Sequence, residues 1–250
     1  MVDFKAFYKD KANVAYMVMA YPNFKLCEDF LNKLDESDID ILEIGIPYSD
    51  PISDGKIISE AALKALEGGA DIEKIFTSLE KIKTKKALVF LVYYNLIFSY
   101  GIKKFVKRAK ELNIKGLIVP ELVYEENEDL FKECVKNGIA LIPLISLTTP
   151  KTRIEKILTR ASGFVYAVAS IGITGGVKSE LAVIEKLVKD IKEFTNLPVF
   201  VGFGVKTNED VKELRKICDG VIIGTAMVES FKDNDLDKIL QTSSKLFASN

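Results

Sequence analysis

The sequence contains no histidine. General acid–base chemistry therefore falls to carboxylates, tyrosine, lysine or cysteine, because the side chain that ordinarily titrates near neutrality is missing. A histidine-ligated metal centre is excluded with it. Cysteine is scarce, and Cys27, Cys134 and Cys218 lie far apart with no CxxC spacing. They read as core thiols of a reducing compartment, not as a metal or disulfide framework. No apolar run approaches the length of a membrane span, and the N-terminal MVDFKAFYKDK has no signal-peptide core. Neither sign of charge is in excess: 35 Lys and Arg face 36 Asp and Glu, for a net charge of −1. That balance offers no basic surplus for nucleic acid and no polybasic segment for a membrane. The expectation is a cytoplasmic protein with neither kind of partner.

What is present is apolar and regularly spaced. Of the 250 residues 48% are hydrophobic, enough to bury a large shared core. Short apolar runs recur at 14–20, 39–45, 87–93, 116–120, 139–145, 163–169, 197–203 and 220–224, each rich in β-branched residues and mostly apolar on both faces. Parallel strands covered by helices have that character. Between them, Ile102, Phe105, Val106, Ala109 and Leu112 follow the helical i, i+3, i+4, i+7 spacing, as do Leu181, Ile184, Leu187, Val188 and Ile191. A last helix is predicted around Leu236, Ile239, Leu240 and Phe247. Eight βα units predict a (β/α)8 barrel over an open doubly wound sheet. With no linker or composition shift, residues 1–250 are expected to form one barrel domain.

In such a barrel the working residues sit at the C-terminal strand ends and the loops that follow. The second run continues as IDILEIGIPYSDPISDG. Ile39, Ile41 and Glu43 share one face, so Glu43 interrupts an apolar row near the strand's C-terminal end. A lone carboxylate is expensive to bury unless paired or protonated, and burial raises its pKa into the range of a group that must give and take a proton near pH 7. The alternative is that Glu43 pairs with a structural cation or reaches solvent at the rim. The loop after it carries Asp50 and Asp54. Asp-Pro and Asp-Gly are ordinary turn signals, although two acids above Glu43 also suit a division of acid and base roles.

Near the C-terminus, Gly202-Phe203-Gly204 and Gly224-Thr225 stand at two adjacent strand-to-helix junctions. Glycine admits close backbone approach to an anion, and helix N-termini present donors, so these junctions predict a phosphate-bearing ligand, with a short helix from Thr225. Without a ligand they are simply tight βα turns. Residues 170–176, SIGITGG, read either as a lid or as a plain glycine-rich turn.

Together these pieces resemble the tryptophan synthase alpha subunit family. LEIGIPYSDPISDG at 42–55 is similar to that family's long LE(L/I)G-P-(F/Y)-SDP-ADG signature. YYN at 93–95, TTPKTR at 148–153, GITGG at 172–176, GFG at 202–204 and GTA at 224–226 add to it. The resemblance implies Glu43 and Asp54 as catalytic carboxylates, with Tyr93 and Tyr166 at the site. It implies substrate contacts from Thr174, Gly175, Gly204, Gly224 and Thr225, Phe203 lining an indole pocket, and Asp50 on a loop facing a beta subunit. The implied reaction is retro-aldol cleavage of indole-3-glycerol phosphate to indole and glyceraldehyde 3-phosphate, without a metal or cofactor in this chain. Pyridoxal phosphate is implied in a beta subunit that completes an α2β2 complex. The sequence departs from the family pattern at Tyr21, Lys56, Ser59 and Glu121, none of them a catalytic position. Two competing readings remain: another phosphate-site barrel isomerase or aldolase, or a catalytically silent subunit that activates a partner. A Schiff-base aldolase needs a lysine at a strand end, and none lies within the eight runs.

Overall fold

The computed structural model describes residues 2–169, 177–202 and 204–248, with only the backbone described at 177–180. Its strands are β1 (Ala12–Val18), β2 (Ile41–Gly45), β3 (Ala87–Leu91), β4 (Ile114–Ile118), β5 (Ala140–Ile142), β6 (Leu144–Ser146), β7 (Val165–Val168), β8 (Val199–Gly202) and β9 (Gly220–Ile223). All neighbours are parallel, in the order β5-β4-β3-β2-β1-β9-β8-β7-β6. The two ends of that order are consecutive pieces of a single run.

This corrects the count of eight uninterrupted strands. The fifth run, IALIPLI, is divided at Pro143, which has no N–H to give to a ladder. Below it β5 pairs with β4, and above it β6 pairs with β7. The Pro143 carbonyl accepts the Tyr166 N–H at 3.0 Å, so the ladder passes from one neighbour to the other at that residue. The sheet thereby comes round on itself as a barrel with helices outside.

Alternation along the strands sorts side chains into two apolar layers. Inside the barrel, Ala12, Val14, Ile41, Ala87, Val89, Ile118, Ala140, Ile142 and Ile222 form one buried cluster. Its lower end is filled by Phe4, Phe164 and Phe200, with ring centroids 5.3 Å apart for Phe4–Phe164 and 4.4 Å for Phe164–Phe200. Phe4 is delivered by a short 3-10 helix, Phe4–Phe7, which Asp3 caps by accepting the Lys5 N–H. Outside, Leu42, Ile44, Phe90 and Leu117 join the helix residues Phe30, Phe76, Phe105 and Val106 in a second cluster. Each such large side chain contributes about 1.5–3 kcal/mol by leaving water.

The helices follow the predicted faces. Ile102–Glu111 buries Phe105, Val106 and Ala109 and leaves Lys103, Lys104 and Lys107 exposed. Val177–Lys192, Leu236–Phe247 and the short Thr225–Ser230 occupy the predicted stretches. Helix Asn208–Arg215 opens on a capping box between Thr207 and Asp210, which fixes where the chain turns after β8. The three cysteines are free and buried. No helix among the described residues is long and apolar enough to cross a membrane.

Candidate active site

The site rests on the top layer of the barrel interior. On β2, Ile41 points inward and is fully buried, and the next inward residue is Glu43. Glu43 is 1% exposed, and neither of its carboxylate oxygens has a hydrogen-bond partner. No cation lines the cavity around it among the described residues. Burial alone therefore pushes its carboxyl up from 4.5 to about 8. At neutral pH it is an acid with a proton to give.

Asp54 lies on the loop that follows β2, just before the helix Lys56–Glu67, whose N-cap is Gly55. Partial burial raises its carboxyl above the ordinary aspartate range, and the nearby Tyr93 hydroxyl offsets part of the rise. Tyr93 follows β3 and is buried. Its hydroxyl accepts the Ser53 N–H at 3.2 Å and lies 3.2 Å from Ser53 Oγ, tying the loop down next to Asp54. Tyr48 stacks on the Tyr93 ring at 5.1 Å, and Asn95 Nδ2 donates to the Tyr48 hydroxyl at 3.1 Å. The Tyr94 N–H, at the start of helix Tyr94–Tyr100, donates to the Glu121 carboxylate.

Tyr166 on β7 turns inward and pairs with Leu144 and Phe200. Its hydroxyl leans over Gly202, where a Cβ would stand 2.7 Å from it. Burial raises the phenol well above 10, and Glu43 and then Asp54 raise it further. After the neighbouring strands β8 and β9, Gly204 has φ +83°, a conformation open chiefly to glycine, and Gly224 caps helix Thr225–Ser230.

Glu43, Asp54, Tyr166, Gly204, Gly224 and Thr225 line one cavity of about 240 Å³, many times the space a single water needs. Tyr93 stands behind the loop that carries Asp54. Asp50 is not in the cavity. It is exposed, accepts from Ser49 Oγ at 2.6 Å, and borders an adjoining depression with Ile52, Asn95 and Phe98. Thr174, Gly175 and Phe203 lie outside the described residues, as does the stretch 170–176. Among the described residues no group of three or more His, Cys, Asp or Glu side chains is placed to hold a metal.

Several wall residues were not anticipated from the sequence: Tyr16, Ile58, Leu91, Leu144, Val168 and Val205. Tyr16 is the notable one. It sits opposite Glu43 in the β1–β2 ladder and is 6% exposed. Its phenol is raised well above 10 by burial, then by Asp54 and Glu43. The only signal in the sequence was a tyrosine in an apolar strand, and its level with Glu43 comes from the strand register.

The arrangement supplies a protonated carboxyl inside a buried cavity, a second carboxyl at its mouth, and backbone suited to an anion elsewhere on the same rim. The family model of the tryptophan synthase alpha chain matches residues 4–249. The tryptophan synthase alpha chain of Campylobacter jejuni subsp. doylei is 58% identical over 247 residues, 99% of each chain. That of a Thermoanaerobacter species is 42% identical over 221 residues, 88% of this chain and 84% of the relative. A solved tryptophan synthase subunit alpha from Campylobacter jejuni superposes with a TM-score of 0.95 at 58% identity, covering 99% of this chain and 100% of its own. An aminoacrylate-bound tryptophan synthase from M. tuberculosis gives 0.86 at 27%, covering 95% and 92%.

Proposed function

Because the chain belongs to the tryptophan synthase alpha chain family, the lyases that cleave indole-3-glycerol phosphate, we propose that Glu43 is its acid–base group and Asp54 its ring-nitrogen partner. The observation that carries the assignment is the fully buried Glu43 carboxyl, without a hydrogen-bond partner and with its pKa near 8.

Cleavage requires indole C3 to be protonated first, which places positive charge on the ring nitrogen. Glu43 gives that proton and is left ionised. The Asp54 carboxylate accepts the ring N–H and stabilises the positive charge. The bond between C3 and the glycerol carbon then breaks. Its electron pair restores the C2–C3 double bond, and the hydroxyl on the departing carbon becomes a carbonyl as its proton passes to Glu43. Indole and glyceraldehyde 3-phosphate result, and Glu43 regains the form in which it began.

Gly204, Gly224 and Thr225 hold the phosphate, so binding energy at that end aligns the scissile bond with Glu43. Tyr166 lines the substrate's path, and Tyr93 holds the loop that carries Asp54. Thr174, Gly175 and Phe203 keep the substrate-binding roles that the family resemblance implies. No lysine lines the cavity among the described residues, so nothing there favours a Schiff-base aldolase.

The family works with a beta subunit, and we place the Asp50 loop on the face that meets it in an α2β2 complex. Pyridoxal phosphate belongs to that partner, and this chain's own step needs no cofactor. All nine strands of the described residues join one sheet and no linker divides the sequence, which supports one working domain, and we place the enzyme in the cytoplasm.

Glu43→Gln keeps the side chain's shape and removes the acid. Indole release, measured with and without the beta subunit, should be abolished, and Asp54→Asn should lower it on the order of 10²–10⁴-fold. Wild-type turnover in Glu43→Gln would overturn the assignment.

A further inference from the structure

Once Glu43 has given its proton to C3 it is an anion in an apolar barrel, and a buried carboxylate without a donor is costly. The titratable groups that face it come from four elements. Those that share its cavity are Tyr16 on β1, Asp54 on the loop after β2 and Tyr166 on β7, with Tyr93 after β3 behind the Asp54 loop. Asp54 is itself an acid, and the Tyr93 hydroxyl is engaged with Ser53. The two phenols of Tyr16 and Tyr166 remain as donors.

We propose that Tyr16 is a positioning residue of this site, whose hydroxyl donates a hydrogen bond to the Glu43 carboxylate while it is ionised.

The placement follows from register and clearance. Tyr16 pairs with Glu43 in the β1–β2 ladder, so both side chains enter the barrel at one level. The Tyr16 ring then rises over Gly45, and a Cβ there would stand 2.1 Å from the Tyr16 hydroxyl oxygen and 2.6 Å from Cζ. Gly45 lies two residues beyond Glu43 on the same face, about 6–7 Å further along the strand. The hydroxyl is therefore held above Glu43 on the mouth side, and a glutamate side chain turned along its strand spans most of that interval. Glycine at 45 is what makes room for it. After burial, Asp54 and Glu43 are the two groups that most raise the Tyr16 phenol, as expected of a hydroxyl near both.

The proposal rests on Glu43 being the acid–base group, which Glu43→Gln tests separately. The experiment is the pH profile of indole release by the complex of this chain with its beta subunit. Activity needs protonated Glu43, so it falls as pH rises through the Glu43 pKa. Tyr16→Phe removes a donor that favours the anion. Its basic limb should move up by about one pH unit, a tenfold change in the ionisation constant, with kcat lowered and KM nearly unchanged. Replacing Tyr16 by 3-fluorotyrosine, a stronger donor of nearly the same shape, should move the limb the other way, which guards against a folding defect in Tyr16→Phe. An unmoved limb in both variants, or a rise in KM alone, overturns the role of Tyr16. If Glu43→Gln is inactive in the same assay, the assignment of Glu43 survives that result.

Discussion

Glu43 should make the protein less stable as the solution becomes neutral, and Glu43→Gln should remove that liability. Between about pH 4.5 and 8 the folded chain keeps a proton that the unfolded chain has released. The native state then binds more protons than the unfolded one, so stability falls as pH rises through this window. Each pH unit costs about 1.36 kcal/mol, which accumulates to roughly 3 kcal/mol by pH 7. Below about 4.5 both states are protonated and the cost vanishes, and above about 8 it no longer grows. Glutamine has the same shape and no charge to desolvate, so its stability curve lacks this slope. At roughly 2–4 °C per kcal/mol for a chain of this length, the variant's gain in Tm over wild type should widen by roughly 6–12 °C from pH 4.5 to pH 7. Urea unfolding and thermal melts of the two proteins across pH 4.5–8.5 measure it. Parallel curves would show that Glu43 titrates as an ordinary carboxyl in the fold, and the argument for its acid role would go with it.

Two further outcomes are expected. Tyr93→Phe removes the hydroxyl that accepts the Ser53 N–H beside Asp54, and indole release should fall by roughly 2- to 12-fold, the equivalent of 0.5–1.5 kcal/mol of lost positioning; an unchanged kcat/KM would mean the loop holds itself. Ala20, with φ 65°, carries a left-handed conformation that costs a non-glycine residue roughly 1–2 kcal/mol. Set against the greater unfolded-chain entropy of glycine, Ala20→Gly should still raise Tm by about 1–4 °C. A lower Tm would show that packing of the buried methyl outweighs the relief.

Barrel and helices were legible because each helix shows its buried face as a period and each strand as a short β-branched run. Glu43 was legible for a related reason: an acid follows Ile41 on the apolar face that the alternation predicts, although Ile39 itself lies ahead of the strand and packs in the other cluster. The division of the fifth run was written in Pro143 and read as continuous, since an apolar run shows no sign of which neighbour each half will pair with. Tyr16 was illegible for a deeper reason. A period of two gives the face of a strand but not its register against the next, and the partnership of Tyr16 with Glu43 exists only in that register. Asp54 reads as a turn residue in isolation, and only the LEIGIPYSDPISDG match singled it out. In the structure it shares a cavity wall with Glu43 on the preceding strand and with Gly204 and Thr225, which come from far along the chain.

The aromatic stopper at the foot of the barrel settles the direction of traffic. Phe4, Phe164 and Phe200 pack across the end opposite Glu43, so among the described residues the cavity is a well and not a pipe. If the bond is broken above Glu43 as proposed, the products leave toward the rim and not through the foot. On the proposed reaction, the apolar fragment and the phosphate-bearing fragment both start from that one well, and a subunit docked against the Asp50 loop would stand beside its mouth when the apolar one departs.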